Sequence, residues 1–384
     1  MKFFWIGILI AIGSFSFLSS SSAAEKGEFG LRPTTNHGQK WRIGYLEGGP
    51  YKNYPMVLTR LIENLMDMGW MENAEIPVPE DFEDSSQIWM WLSTKAKSNY
   101  IQFVGDAYWS NNWDDEKRKK TKVDVIQQLN AQKVDLILAM GTWAGQDLAN
   151  DLHSVPTIVL SSTDPISANI VKSIEDSGYD HIHARVSPAR HEYQLRWFHD
   201  FVGFKKLGVA FEDSNEGRSI AAVSDIEKIA RERGFEVVSC YSIDNTSREE
   251  AEDSVVKCYE YLAPKVDAIY VTIQRGVNAK SLPRLLRPIM KYNLPTFSQG
   301  GSDEVEHGVL LSIAQAGFSH IGKFHAETIA KVFNGTKARD LDQVFDDPAL
   351  FAFNLEVARL IGFNPPFELL ASADQIYSKI AVAK

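Results

Sequence analysis

The sequence predicts an α/β protein with parallel sheets, divided into two lobes, and three observations predict it. From Trp41 onward, short apolar runs alternate with amphipathic stretches, the rhythm of parallel sheets covered by helices on both faces. About 360 residues remain once a leader is removed, more than one hydrophobic core usually organises. The rhythm breaks twice, after Asp164-Pro165 and after Ala314, where a chain shared between two cores would cross.

The chain opens MKFFWIGILIAIGSFSFLSSSSAAEKG, with one Lys, an apolar run from Phe3 to Leu18, and Ser22 and Ala24 spaced as in an A-x-A-like cleavage site. Residues 1–24 therefore read as a secretory signal peptide, which implies a periplasmic protein. A membrane anchor fits less well, because the run is shorter than roughly 20 residues and Gly7, Gly13, Ser14 and Ser16 interrupt it. Cleavage removes Lys2 and no acid, so the formal net charge moves from −10 to −11. The basic run Lys117 to Lys120 follows Asp114, Asp115 and Glu116 and reads as a solvated helix face. Nucleic acid is not an expected partner.

In order along the chain, the strand candidates are 42–47, 100–108, 134–141, 156–163, 206–212, 236–243, 267–274, 294–299 and 309–314. The clearest helical patterns are 54–70, 116–132, 218–234, 247–262 and 318–334, the last stopped by Asn334-Gly335. A further helix is expected over 167–177, after Asp164-Pro165. Cys240 ends a strand-like run, and Cys258 shares a helix face with Ala251, Val255, Tyr259 and Leu262. The pair is either a disulfide or two buried thiols.

Strand ends carry the chemistry. In open parallel sheets ligands sit beyond the carboxyl ends of the strands. The run IVLSSTDP ends in three hydroxyls and a carboxylate, and Pro165 forces the chain out of the sheet there. That polar tip, with Thr163 and Asp164, is expected to line the gap between the lobes. Thr142, Trp143 and Ala144 open a helix after the third candidate strand, offering N–H groups to an anion and an aromatic wall. Gly48 and Gly49 let backbone approach a ligand on which Tyr51 stacks. Asn215 and Glu216, Gln274 and Arg275, and Gly300 and Gly301 follow strands of the second half. For Ser214 and Asn215, plain helix capping is the competing role. What favours a ligand is the recurrence of such residues at one end of the sheets.

The ordered segments GTWAGQDLA, SSTDPISANIVKSI, KKLGVAFEDSNEGRS, VDAIYVTIQRGV, HGVLLSIAQAGFSHIGKFHAETIAKVFNG and FAFNLEVARLIGFNPP resemble the ABC transporter substrate-binding proteins of the tryptophan and tyrosine type. The likeness runs from about Trp41 to Pro366. It implies a type I periplasmic binding-protein fold: two Rossmann-like lobes, three crossover segments, and a small-molecule ligand held between closing lobes. The lobes would be 41–164 plus 315–349 and 185–314 plus 350–384. The chain departs from the family pattern at Trp143, where members commonly have Pro, and at Gln274-Arg275, where they commonly have Asp-Asn. Arg275 suits a carboxylate, so the expected solute is an aromatic or dicarboxylic acid without an amine.

G-x-S-x-G, G-x-G-x-x-G, P-loop and H-E-x-x-H motifs are absent from the sequence. His181 and His183 could share one strand face, but lack a third ligand at metal spacing. Together with these absences, the resemblance implies a monomeric, non-enzymatic solute-binding protein without cofactor or metal, which delivers its solute to an inner-membrane ABC permease. The alternative is a sensor of the same fold that docks onto a membrane kinase or cyclase.

Overall fold

The structure is a computed structural model that describes residues 30–79, 83–315, 318–345 and 349–382. The segment 1–24 read as a signal peptide lies outside the described residues, and no described helix is long and apolar enough to cross a membrane.

Two sheets carry the fold. The first contains β1 (Trp41–Glu47), β2 (Ile101–Ser110), β3 (Leu136–Met140), β4 (Thr157–Leu160) and β5 (Ile182–Ala184), in the order β2-β1-β3-β4-β5 and wholly parallel. The second contains β6 (Lys206–Phe211), β7 (Glu236–Tyr241), β8 (Ala268–Val271), β9 (Thr296–Ser298), β10 (Leu311–Gln315), β11 (Ala349–Asn354) and β12 (Gln375–Tyr377), in the order β12-β11-β10-β9-β8-β6-β7. Each sheet is doubly wound. Its first strand lies between the second and third, so the chain reverses direction across the sheet beside that strand.

Full burial of both faces explains why inner strands such as β3, β4 and β8 read as continuous apolar runs. Leu136, Leu138 and Met140 of β3 face one core, with the helices Tyr54–Asp67 and Phe318–Phe333. Ile137 and Ala139 face the other, with Val125, Leu129 and Leu148. In β8, Ala268 and Tyr270 belong to one core while Ile269 and Val271 belong to the next. Helix Phe318–Phe333 follows β10 of the second sheet yet packs on the first. Gly322 permits the close approach, since a Cβ there would lie 2.6 Å from the Arg60 carbonyl carbon.

Three passages connect the sheets: after Ala184, after Gln315 and before Ala349. The first and third run side by side, with Val186 N–H donating to Gln343 O at 2.7 Å and Phe345 N–H to Val186 O at 2.9 Å. Because β10 leaves toward a crossover and β11 returns from one, this neighbouring pair is antiparallel, the exception to the parallel expectation.

The expected helix over 167–177 does not form; the segment is a series of turns. Asp164 Oδ1 accepts from the N–H groups of Ile166 and Ser167 at 3.1 and 3.0 Å, and Asn169 sits at φ 56°, which stops an α-helix from propagating. The pattern at 218–234 is likewise split: Ala222 at φ 53° separates helices Asn215–Ile220 and Val223–Arg233. Cys240 and Cys258 form a disulfide. His181 and His183 are buried: the His181 ring packs on His153 with centroids 4.5 Å apart, and His183 Nε2 lies 3.0 Å from Asp342 O.

Candidate functional site

The two points where the winding reverses face each other across the gap between the sheets. Their loops enclose a cavity of about 50 Å³ lined by Tyr51, Tyr54, Trp113, Thr142, Trp143, Ser161 and Thr163 from the first sheet, and Ile220, Asp244, Ile273, Gln274 and Arg275 from the second. A larger depression of about 810 Å³, reaching from Asn36 to Asp135, lies at the opposite, amino-terminal ends of β1 and β2. The carboxyl ends of the strands do not converge there, so the smaller cavity is the better candidate.

The first wall is aromatic. Trp113 follows β2 in a left-handed conformation, φ 57°, donates Nε1–H to Pro50 O at 2.8 Å and meets Trp143 edge to face at 5.5 Å. Gly48 and Gly49 make room for this ring. A Cβ on Gly49 would lie 2.6 Å from Trp113 Cδ1, so the glycines serve packing of Trp113 rather than approach of a ligand. Trp143, 7% exposed, carries the Arg118 guanidinium 4.4 Å above its ring, and Arg118 is itself fixed by Asp147 at 3.0 Å. Gly141, at φ 85°, leaves space for the Tyr54 hydroxyl. Tyr51 is anchored through its N–H to Glu83 O at 3.0 Å, while its buried hydroxyl has no partner.

The second wall is charged. Asp244 Oδ1 accepts from the Arg275 backbone N–H at 2.6 Å. Burial, reinforced by Glu212, pushes its carboxyl up to about 6 despite the Arg275 and Gly276 N–H groups. The Arg275 guanidinium donates from Nη1 to Thr246 O and lies 5.8 Å from the Trp113 ring; its buried Nε has no partner. Gln274 lines the cavity, but its amide is committed inside the protein: Nε2–H donates to Ala210 O and Thr272 Oγ1, each at 2.9 Å, and Oε1 accepts from Ser242 at 2.7 Å.

Of the residues singled out in the sequence, Tyr51, Thr142, Trp143, Thr163, Gln274 and Arg275 therefore meet in one cavity. Ala144 lies behind the wall, in the core of the first sheet. Asp164 caps the turn after β4 and lines a separate depression of about 380 Å³ beside the first crossover. Ser214 is the helix cap, accepting from Gly217 N–H at 3.0 Å; Asn215 follows it on the surface. Glu216 lies 4.0 Å from Arg118. Gly300 packs on Glu304, so close that a Cβ would sit 2.7 Å from Glu304 Oε1, and Gly301 N–H donates to Ser298 Oγ at 2.8 Å. The strand-end rule also applies to Asp244 after β7 and Trp113 after β2, which the sequence reading passed over.

The match to known proteins agrees with this architecture. Residues 108–377, more than half of the chain, match the family model described as ABC transporter substrate binding protein. A protein named "Tyrosine-binding protein" from Clostridioides difficile (strain R20291) is 24% identical over 260 residues, covering 64% of this chain and 70% of that protein. A conserved domain protein from Vibrio cholerae has a similar fold, with TM-score 0.66, 18% identity, and coverage of 88% of this chain and 100% of that one. So has an ABC domain from Streptococcus pneumonia in complex with L-Trp, with TM-score 0.65, 21% identity and the same coverage. With two doubly wound sheets, three crossovers and a family match across both, the chain has the type I periplasmic binding fold and belongs to the ABC transporter substrate binding protein family, whose role is to bind a solute rather than transform it.

Proposed function

We propose that the protein is the periplasmic, monomeric solute-binding component of an ABC importer, which captures a small aromatic acid between two closing lobes and presents it to a permease. One observation carries the choice of site: Arg275 Nε and the Tyr51 hydroxyl are buried, lack partners and belong to residues lining one cavity between the sheets. Buried polar groups are rarely left unpaired, and a carboxylate is the acceptor that suits an arginine. Trp113, Trp143, Tyr51 and Tyr54 supply flat apolar walls.

Asp244 changes the expected solute. Sequence alone favoured an acid without an amine; a carboxylate facing the same cavity supplies a partner for an ammonium group, so an aromatic amino acid is the proposed class. The names of the relatives point the same way, one being called tyrosine-binding and another holding L-Trp. The residues that enclose the cavity come from both sheets, so the lobes must part to admit a solute and close to hold it.

The test is a thermal-shift screen of the mature protein against amino acids, aromatic acids, dicarboxylates and purines. An aromatic amino acid at 100 times its Kd should add roughly 2.7 kcal/mol of stability. A panel in which only purines or aliphatic dicarboxylates stabilise the protein would overturn the solute class.

A further inference from the structure

The gap is bridged away from the cavity as well as around it. Lys52 Nζ, on the loop after β1, lies 3.0 Å from Glu304 Oε1 on the helix Ser302–Glu306 of the second sheet, with side-chain exposures of 19% and 3%. Lys52 is next to Tyr51, yet neither Lys52 nor Glu304 lines the cavity. Glu304 is held in place from within the second sheet: its Oε2 accepts from Ser298 Oγ at 2.7 Å, and the turn at Gly300 packs against it, with Gly301 N–H donating to the same Ser298 Oγ at 2.8 Å.

Other polar bridges cross the gap among the described residues: Arg248 with Glu83, Asn245 Nδ2 with Asp115 at 3.1 Å, Arg118 with Glu216 at 4.0 Å, and Ser219 Oγ donating to Asp164 O at 3.0 Å. The last joins two uncharged groups, and each of the others has a partner more open to water or a longer separation. Exposed pairs contribute little, whereas removing one partner of an enclosed pair leaves a buried charge uncompensated.

We propose that Lys52 and Glu304 form an ionic latch that sets the population of the closed state, and through it solute affinity, without either residue touching the solute. Closing brings the two charges together in an enclosed site, and opening returns them to water. Because affinity is multiplied by the fraction of binding-competent molecules, the latch acts on solute retention from a distance. The affinity part rests on the solute site proposed above; the closure part does not.

The experiment is a double-mutant cycle on the full mature protein with Lys52→Met, Glu304→Gln and both together. Each variant is checked for native circular dichroism and read in two ways. Small-angle X-ray scattering without solute reads closure, and each single variant should be more expanded than the wild type. Titration with L-tryptophan as probe reads affinity, and each single variant should bind about 10- to 100-fold more weakly, mostly through faster release. The double variant should be no worse than the worse single variant, because the second substitution removes a charge the first left unpaired. Lys52→Gln replaces Lys52→Met if the latter misfolds. Unchanged scattering profiles in folded single variants, or losses that simply add in the double variant, would overturn the latch. If L-tryptophan fails to bind the wild type, the proposed solute class is at fault and scattering alone decides the latch.

Discussion

Glu47, at the end of β1 just behind the cavity, is 0% exposed and has only hydroxyl partners: Tyr45 donates to Oε2 at 2.8 Å and Tyr108 to Oε1 at 3.1 Å. Burial pushes its carboxyl up to about 7, against the pull of those hydroxyls and Ser110. A raised carboxyl binds its proton more tightly in the native state than in the unfolded chain. Its contribution is therefore complete below pH ~4.5 and is lost as pH rises through ~7, by up to roughly 3 kcal/mol. Glu47→Gln should flatten that part of the stability curve in urea unfolding measured from pH 4.5 to 8. Asp244 and Arg275 give a second residue-scale expectation. Arg275→Ala should weaken an aromatic amino acid about 10- to 100-fold, the worth of a charge-assisted hydrogen bond. Asp244→Asn should do the same while sparing the amine-free analogue of that solute. With Asp244 titrating near 6, affinity for the amine-bearing solute should fall below that pH, which calorimetric titration at pH 5 and 7.5 would reveal.

At the scale of elements, the disulfide secures an exposed margin. β7 is the edge strand of the second sheet, and the bridge from Cys240 ties it to helix Arg248–Leu262 across 18 residues of sequence. Cross-linking a loop of that size stabilises by about 3 kcal/mol. The double variant Cys240→Ser/Cys258→Ser should lose about that much, and dithiothreitol should lower the melting temperature of the wild type while leaving the variant unchanged. The strands from β1 to β4 and β6 to β10 were legible because inner strands buried on both faces are uninterrupted apolar runs, while the edge strands β2 and β7 are rich in β-branched and aromatic residues. β5, β11 and β12 were not: they are short or lie where the chain changes sheets, and their pairing depends on partners distant in sequence. The turn at 165–175 defeated periodicity because a side-chain acceptor on Asp164 captured the N–H groups that a helix would have left free.

Across the whole molecule, the crossovers hold the two sheets in register. Their backbone pairing at Val186 and Val344 adds a small parallel bridge to what would otherwise be single strands of chain. Val186→Pro removes the N–H that donates to Gln343 O and leaves that buried acceptor short of a partner. Equilibrium urea unfolding should register a loss of about 1–3 kcal/mol.

The sequence by itself determined the class of fold, the number of sheets and the end of each sheet at which polar residues collect, because strand burial and strand-end chemistry are written in local patterns. It could not decide which strand ends meet. Trp113 and Asp244 obey the same local rule as Tyr51 and Arg275, while Ala144, Asn215, Gly300 and Gly301 obey it and stay off the cavity wall. Only the order of strands in each sheet and the facing of the two sheets made that choice. Those depend on contacts between residues far apart in sequence, whose pairing no local pattern encodes.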